Sequence, residues 1–174
     1  MSSNHIVYII GFMGSGKSTA GRKLASLLGW TFTDLDVKIT EYTGMTIPEI
    51  FSQKGEDYFR NAESEVLKSL KSNSNCVIST GGGTPCHCDN MDFMLESGLT
   101  IYLKLTPGQL EKRLKGSTTE RPLLKELNNK ELFDFIEAKL AEREKWYNRA
   151  EFIVDGFDLD INFLQNIIKN RLKI

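Results

Sequence analysis

The chain has 174 residues, with 22 Lys or Arg against 23 Asp or Glu, so its formal net charge is -1. This balance excludes a strongly basic nucleic-acid-binding protein and a polybasic membrane-surface protein. The length suits one domain, taken as residues 1–174, that buries about 70% of the surface its unfolded chain exposes.

Targeting and membrane signals are the next class to examine. No stretch approaches the ~18 consecutive apolar residues of a membrane helix, and residues 1–5 lack the basic and apolar regions of a secretory signal. The three cysteines, Cys76, Cys86 and Cys88, show no disulfide-framework spacing. We therefore expect a cytoplasmic protein that does not enter a membrane.

The run Cys86-His87-Cys88 is a candidate metal site. Structural zinc takes four ligands, usually from two separated pairs. The only other histidine is His5, near the N-terminus. The alternative, which we favour, is a loop or helix start that carries incidental thiols.

Short apolar runs alternate with amphipathic segments along the chain. The predicted strands are His5–Ile10, Thr31–Thr33, Cys76–Ser79, Leu99–Leu103 and Phe152–Val154. This alternation is typical of an α/β fold with a parallel sheet. Ligands of such a sheet bind beyond the carboxyl ends of the strands, so the residues that follow each strand are the candidate site residues.

The first strand leads into a phosphate-loop motif. Residues 11–18 read GFMGSGKS and fit the pattern G-x-x-x-x-G-K-[ST] without a mismatch. After it, Ala20, Leu24, Leu27 and Leu28 recur at helical spacing, which predicts a helix with this face on the sheet. The complete context of strand, loop and helix predicts a nucleotide-binding site.

The chemistry of that loop follows from its residue types. Its backbone N–H groups and the helix N-terminus favour the β-phosphate, Lys17 adds a positive charge near the β and γ oxygens, and the Ser18 hydroxyl is a candidate Mg²⁺ ligand. The expected nucleotide-binding residues of the loop are Gly14, Ser15, Gly16, Lys17, Ser18 and Thr19.

Asp34 and Asp36 stand at alternate positions where the second strand gives way to a helix. One carboxylate near Ser18 can hold Mg²⁺ through water, and the other can take a proton or accept a hydrogen bond from an acceptor hydroxyl. The alternative is a pair of helix N-cap residues. Beside a phosphate loop we favour the functional interpretation.

The helix that begins near Gly55 has an apolar stripe made of Phe59, Ala62, Val66 and Leu70. Arg60 borders this stripe, and Glu63 lies three residues on, where it can orient the guanidinium for bidentate binding of a carboxylate or phosphate. By composition alone, a solvated surface pair is the commoner outcome.

The third strand runs into Gly81, Gly82 and Gly83. Successive glycines cost chain entropy, and a plain turn needs only one or two of them. Close approach of a ligand to the backbone explains them better.

After the fourth strand, Thr106 and Pro107 begin a helix that contains Arg113. The apolar periodicity stops over residues 115–125, which predicts a mobile loop. Arg121 in this loop could reach the γ-phosphoryl group when the loop closes over both substrates. The alternative is a flexible linker between helices with a solvated arginine.

The following helix has one continuous face formed by Leu132, Ile136, Leu140, Arg143 and Tyr147. Arg143 interrupts this inward stripe, and Lys139 occupies the position four residues before it, so no carboxylate there can pair with Arg143. An inward arginine needs an anionic partner. A ligand carboxylate would satisfy it.

In this order and at these separations, the motifs resemble the shikimate kinase family. They are the phosphate loop, Asp34-x-Asp36, Gly55-Glu56-x-x-Phe59-Arg60-x-x-Glu63, Gly81-Gly82-Gly83, Arg121-Pro122-Leu123-Leu124 and Arg143-x-x-x-Tyr147. The resemblance spans residues 6–155.

The resemblance implies an α/β, phosphate-loop NTPase fold of the nucleoside-monophosphate-kinase type. It is a three-layer αβα sandwich with a five-stranded parallel sheet of order 2-3-1-4-5, a substrate-binding region at about residues 34–63 and a mobile lid at about 115–125. The implied reaction transfers the γ-phosphoryl group of ATP to the 3-hydroxyl of shikimate, which gives shikimate 3-phosphate and ADP on the route to chorismate and aromatic amino acids. ATP, ADP and shikimate are the implied partners, with no nucleic acid or membrane, and we expect a monomer.

The resemblance also implies residue roles on the donor side. Lys17 matches the phosphate-binding lysine, Ser18 the direct Mg²⁺ ligand and Asp34 a carboxylate that holds Mg²⁺ through water. Arg121 matches the lid arginine, and Arg113 is the counterpart of the adenine-stacking arginine. The segment 156–158 should touch adenine, but no residue in it is assigned.

On the acceptor side, Asp36 matches the residue that binds shikimate hydroxyls and is the proposed base. Arg60 and Arg143 match the pair that grips the shikimate carboxylate. Gly81, Gly82 and Gly83 match the glycine run that contacts shikimate.

Two alternative functions fit a phosphate loop. A gluconate-type or nucleotide kinase of the same fold would share the phosphate loop. A GTP-dependent switch usually carries N-K-x-D, but Asn129-Lys130-Glu131-Leu132 lacks the Asp, and no D-x-x-G occurs in the chain.

Overall fold

The computed structural model describes residues 5–72, 74–116 and 128–174. Its strands form one five-stranded parallel sheet in the order β2-β3-β1-β4-β5. The strands are β1 (Ile6–Ile10), β2 (Thr31–Asp34), β3 (Cys76–Ser79), β4 (Leu99–Lys104) and β5 (Phe152–Asp155). The predicted parallel sheet and its order are confirmed, and each predicted strand end lies within one residue of the observed one.

Helices cover both faces of this sheet. In the described ranges they are α1 (Lys17–Leu28), α2 (Leu35–Thr43), α3 (Ile47–Gln53), α4 (Glu56–Ser69), α5 (Asn90–Ser97), α6 (Pro107–Lys115), α7 (Asn129–Tyr147) and α8 (Ile161–Leu172). Helices α1 and α8 pack on one face, and α2 to α7 lie on the other. None of the helices in these ranges has the length and apolar character needed to cross a bilayer.

The central strand shows why the sandwich has three layers. Every residue of β1 is buried, because alternate side chains of a strand point to opposite faces. Tyr8 and Ile10 enter the core shared with α2, α4 and α7, whereas Val7 and Ile9 enter the core shared with α1 and α8. Burial on both faces explains why Ile6–Ile10 is a continuous apolar run without the alternation of a half-exposed strand.

The predicted buried face of α1 is wrong at one position. Leu24 is buried as predicted, but Leu27 is 42% exposed, and Gly21 and Ala25 belong to the buried face instead. A Cβ at Gly21 would lie 2.6 Å from the Phe32 ring, so the missing side chain lets α1 lie close to the sheet. A pattern based on large apolar residues overlooks such a glycine.

Strand register decides which loops meet. Ser79 at the end of β3 pairs with Ile9 of β1 on one side and with Asp34 of β2 on the other. The segments that follow these three neighbouring strands therefore leave the sheet side by side, at the carboxyl ends of the strands. They are the phosphate loop, the Asp34–Asp36 segment and the glycine run, which now share one edge of the sheet.

Candidate active site

The phosphate loop is closed around its own lysine. Lys17 begins α1 and is buried, and its Nζ atom donates to the carbonyl oxygens of Gly11 at 2.9 Å and Phe12 at 2.8 Å. Gly16 precedes the helix with φ 90°, a left-handed conformation that favours glycine. The loop therefore has a curled backbone next to a helix N-terminus, as binding of a phosphate requires.

Three side-chain oxygens meet beside this loop. The Ser18 hydroxyl donates to an Asp34 carboxylate oxygen at 2.8 Å and lies 3.2 Å from the Ser79 hydroxyl oxygen. The other Asp34 oxygen accepts the Asp36 N–H at 3.1 Å and caps α2. Asp34 can therefore cap α2 with one oxygen while the other lies beside Ser18, so the helix-cap and the metal-binding interpretations are compatible. Oxygen ligands of this kind fit Mg²⁺.

Asp36, in the first turn of α2, has a carboxyl group with a raised pKa. As a whole residue it is exposed, and one of its carboxylate oxygens lies 3.4 Å from the position that a Cβ on Gly81 would occupy. Crowding by surrounding protein, followed by the nearby Asp34 and Glu63 carboxylates, raises the pKa of Asp36 to about 6, against the opposing effect of Lys17 and Arg60. A carboxylate that titrates near neutrality beside a phosphate loop is a functional-site candidate.

Arg60 is a partly buried residue with two carboxylate partners. Its Nη1 atom donates to Glu63 at 3.0 Å, and its Nε and Nη2 atoms donate to Glu56 at 3.2 and 3.1 Å. The Arg60 side chain is only 15% exposed and that of Glu63 1%. The interpretation of Arg60 and Glu63 as a solvated surface pair is therefore wrong.

The glycine run lies close to the phosphate loop and to both candidate carboxylate-binding arginines. A Cβ at Gly82 would lie 3.2 Å from the Met13 backbone nitrogen and 3.3 Å from Arg143 Nη1, and one at Gly83 would lie 2.8 Å from Arg60 Nη2. None of these three glycines has a positive φ. They are therefore glycines because protein groups crowd them, not because the backbone conformation needs them.

Arg143 lies on the inward side of α7, as its spacing predicted. Its Nη1 atom is buried and has no hydrogen-bond partner among the described residues. Its guanidinium carbon lies 5.4 Å from the centre of the Phe12 ring, next to the phosphate loop. One turn later, the Tyr147 hydroxyl donates to the Gly82 carbonyl oxygen at 2.5 Å and holds the glycine run against α7.

Arg113 joins two loops that are far apart in sequence. Its Nη1 atom donates to the Ser15 carbonyl at 2.9 Å, and its Nη2 atom donates to the carbonyls of Gly156 at 2.9 Å and Phe157 at 3.2 Å. Its guanidinium carbon also lies 5.6 Å from the centre of the Phe157 ring. Arg113 therefore borders the phosphate loop and the segment after β5, which the sequence left unassigned.

Other predicted residues are less informative in the structure. Thr19 lies on the first turn of α1 and is exposed. Arg121 and most of the predicted lid lie outside the described residues. Cys86 ends a 3-10 turn and Cys88 is exposed, and no group of three or more metal-ligating side chains occurs within the described ranges.

Sequence reasoning missed Ser79 and Thr84. Ser79 is the last residue of the buried strand β3. Its place at the carboxyl end of a predicted strand was the signal in the sequence that could have identified it. Thr84 is fully buried and donates to Glu63 at 2.6 Å. No local pattern indicates that contact, because it joins residues 21 positions apart.

Comparisons with known proteins agree with this geometry. A model of the shikimate kinase family matches residues 13–170. A shikimate kinase of Parabacteroides distasonis is 41% identical over 150 residues, which cover 86% of this chain and 87% of that protein.

Two solved structures extend the similarity to the fold. The shikimate kinase of Bacteroides thetaiotaomicron matches with a TM-score of 0.91 and 35% identity, covering 99% of this chain and 100% of that one. An Acinetobacter baumannii shikimate kinase in complex with shikimate matches with a TM-score of 0.83 and 34% identity, covering 98% and 97%. Because the family match and the sequence identity both extend over most of the chain, this protein belongs to the shikimate kinase family.

Proposed function

We propose that this protein transfers the γ-phosphoryl group of ATP to the 3-hydroxyl of shikimate, which yields shikimate 3-phosphate and ADP. The observation that carries the proposal is the glycine run at residues 81–83. It lies so close to Met13 of the phosphate loop and to the two candidate carboxylate-binding arginines, Arg60 and Arg143, that a Cβ on Gly82 or Gly83 would crowd them. This arrangement suits an acceptor that has both a carboxylate and a hydroxyl.

The donor half of the site is the phosphate loop. Gly14, Ser15 and Gly16 would present backbone N–H groups to the phosphates, together with Ser18 and Thr19 at the start of α1. Lys17 would exchange its contacts with the carbonyls of Gly11 and Phe12 for phosphate oxygens and stabilise the charge that spreads over the transferred group.

Mg²⁺ is the proposed metal because kinases of this kind use MgATP. Ser18 would bind the ion directly and Asp34 through water, and the hydrogen bond between these two side chains supports their pairing. When bound, Mg²⁺ neutralises phosphate charge. Ser79, 3.2 Å from Ser18, is in a position to orient the Ser18 hydroxyl.

The acceptor half would bind shikimate through its carboxylate. The two arginines would form charge-assisted hydrogen bonds to that group, which suits their planar forks. Asp36 would accept a hydrogen bond from a shikimate hydroxyl and take its proton as the bond to phosphorus forms. The pKa of Asp36, raised to about 6, lies closer to the pH at which a general base works than the pKa of an ordinary Asp does.

Two further arginines complete the proposal. Arg113 would stack on adenine, a role that its contacts with Ser15 and with the segment after β5 support. Arg121 would reach the γ-phosphoryl group from a lid at about residues 115–125. Lid closure would exclude water, so that phosphoryl transfer competes successfully with hydrolysis.

The wider proposal is one kinase domain over residues 1–174, with the substrate-binding region at about 34–63, that acts as a monomer in the cytoplasm. The free state of Cys76, Cys86 and Cys88 suits a reducing compartment. The net charge of -1 favours small-molecule partners over nucleic acid.

An ADP-release assay tests the function and separates it from related kinases. Purified protein with MgATP is given shikimate, gluconate or a nucleoside monophosphate, and the phosphorylated product is identified by mass spectrometry. We expect turnover with shikimate alone. Turnover with gluconate or a nucleotide in place of shikimate would overturn the proposal.

A further inference from the structure

Glu63 is a buried carboxylate at the centre of a hydrogen-bond chain. As a residue it is 0% exposed, although it belongs to α4, whose first turn is at the surface. Its Oε2 atom accepts from Arg60 at 3.0 Å, and its Oε1 atom accepts from the Thr84 hydroxyl at 2.6 Å. A buried charge is stable only when such partners replace water, so both contacts are needed to hold this carboxylate in place.

Thr84 is fixed independently of Glu63. It begins a 3-10 turn (Thr84–Cys86) directly after the glycine run, and it is 0% exposed. Its carbonyl oxygen accepts from Asn90 Nδ2 at 3.0 Å, and its N–H donates to the Gly81 carbonyl at 3.3 Å. Asn90, the first residue of α5, is also fully buried. The Thr84 hydroxyl therefore has a defined position.

The other partner of Arg60 is a weaker anchor. The Glu56 side chain is 57% exposed, so solvent and salt screen its attraction for the guanidinium. On the remaining side, Gly83 allows the guanidinium to lie where a Cβ would be 2.8 to 3.1 Å from three of its atoms. Glu63 is therefore the contact that determines where the Arg60 fork points.

We propose that Thr84, held by Asn90, is a positioning residue for the acceptor site: its hydroxyl fixes Glu63, and Glu63 fixes Arg60. The inference rests on the proposed function, because Arg60 acts there as a ligand of the shikimate carboxylate. Thr84 itself touches no reacting atom. Its effect is to limit the rotamers of Arg60 before shikimate binds, which lowers the entropy cost of forming a bidentate contact.

Thr84→Val tests the proposal because it removes the hydroxyl and keeps the shape of the side chain. Without that donor, the Oε1 atom of Glu63 stays buried without a hydrogen bond, and the Glu63 carboxylate no longer has a fixed position from which to orient Arg60. We expect the KM for shikimate to rise about tenfold and the KM for ATP to stay within about twofold. Thr84→Ser, which retains the hydroxyl, should restore the KM for shikimate.

Thr100→Val is the matched control. Thr100 is also 0% exposed, and its Oγ1 atom accepts the Glu151 N–H at 3.0 Å, near the start of β4 and away from the carboxyl ends of the strands. This variant should lower the melting temperature without changing the KM for shikimate. If Thr84→Val does not fold, Thr84→Ala removes the same hydroxyl without overpacking and replaces it in the assay.

A double-mutant cycle identifies the route of the effect. In an Arg60→Ala background, the Thr84→Val substitution should no longer change the KM for shikimate. An unchanged KM in the single Thr84 variant, an equal rise for ATP, or an undiminished effect without Arg60 would each overturn the proposal. Absence of shikimate-dependent ADP release from the unsubstituted protein would instead overturn the proposed function, and the positioning role with it.

Discussion

Arg143→Ala is the substitution that tests the acceptor site most directly. The Arg143 Nη1 atom is buried and lacks a hydrogen-bond partner among the described residues. A shikimate carboxylate would therefore gain this contact without first breaking a protein hydrogen bond at that atom. A hydrogen bond to a charged group contributes about 1.5–3 kcal/mol, so its loss should raise the KM for shikimate by roughly 10- to 150-fold.

Stability should respond in the opposite sense to binding. A buried cationic nitrogen without a partner costs desolvation free energy, and Ala removes that cost. We therefore expect the melting temperature of Arg143→Ala to equal or exceed that of the unsubstituted protein. Differential scanning fluorimetry measures this, and the ADP-release assay at varied shikimate measures the KM.

Arg149→Ala is the control for general effects of losing an arginine near the end of α7. Arg149 is 44% exposed and pairs with Asp92 on the surface, so its loss should leave the KM for shikimate unchanged. Arg143→Lys should give an intermediate KM, because Lys keeps the charge but not the planar fork. An unchanged KM in Arg143→Ala would refute this assignment of Arg143, and a fall of several degrees in melting temperature would refute the stability argument alone.

Three further predictions concern other parts of the site. Gly83→Ala should raise the KM for shikimate and lower the melting temperature, because the new Cβ would lie 2.8 Å from Arg60 Nη2 and push the guanidinium away from Glu63; Gly108→Ala, where a Cβ meets nothing within 4 Å, should leave the KM unchanged and not lower the melting temperature. The pKa of Asp36, raised to about 6 mainly by desolvation from the surrounding protein, predicts that kcat/KM for shikimate falls roughly tenfold per pH unit below that value as the base is protonated; a pH–rate profile that stays flat down to about pH 4 would contradict this. Arg121→Ala should lower kcat by roughly 10²–10⁵ with little change in the KM for shikimate, and single-turnover kinetics would show whether the loss lies in phosphoryl transfer.

Local patterns in the sequence predicted much of the donor site. The phosphate loop could be identified because its glycines, lysine and hydroxyl must stand at fixed spacing between a strand and a helix. Helical periodicity likewise located Arg60 and Arg143 beside inward faces, and the structure places both of them there. These features depend on neighbours within a few residues, which is the range over which a pattern carries information.

The strand order was a different kind of prediction. Alternating strands and helices indicate a parallel sheet, but they do not say which strands are neighbours. The order 2-3-1-4-5 came from the resemblance to a family, and the sheet confirms it. The exposed Leu27 and the buried Gly21 show the same limit on a smaller scale, because helix packing followed the contact with Phe32 and not residue size.

The sequence by itself determined that the protein binds a nucleotide phosphate and has inward arginines that need an anion. Only the tertiary structure decided how these parts act together: that Ser18 meets Asp34 and Ser79, and that Thr84 reaches Glu63. These contacts join residues far apart in the chain, so they exist only once parallel strands lie side by side. The raised pKa of Asp36 has the same origin, since crowding and neighbouring carboxylates are properties of the folded cleft.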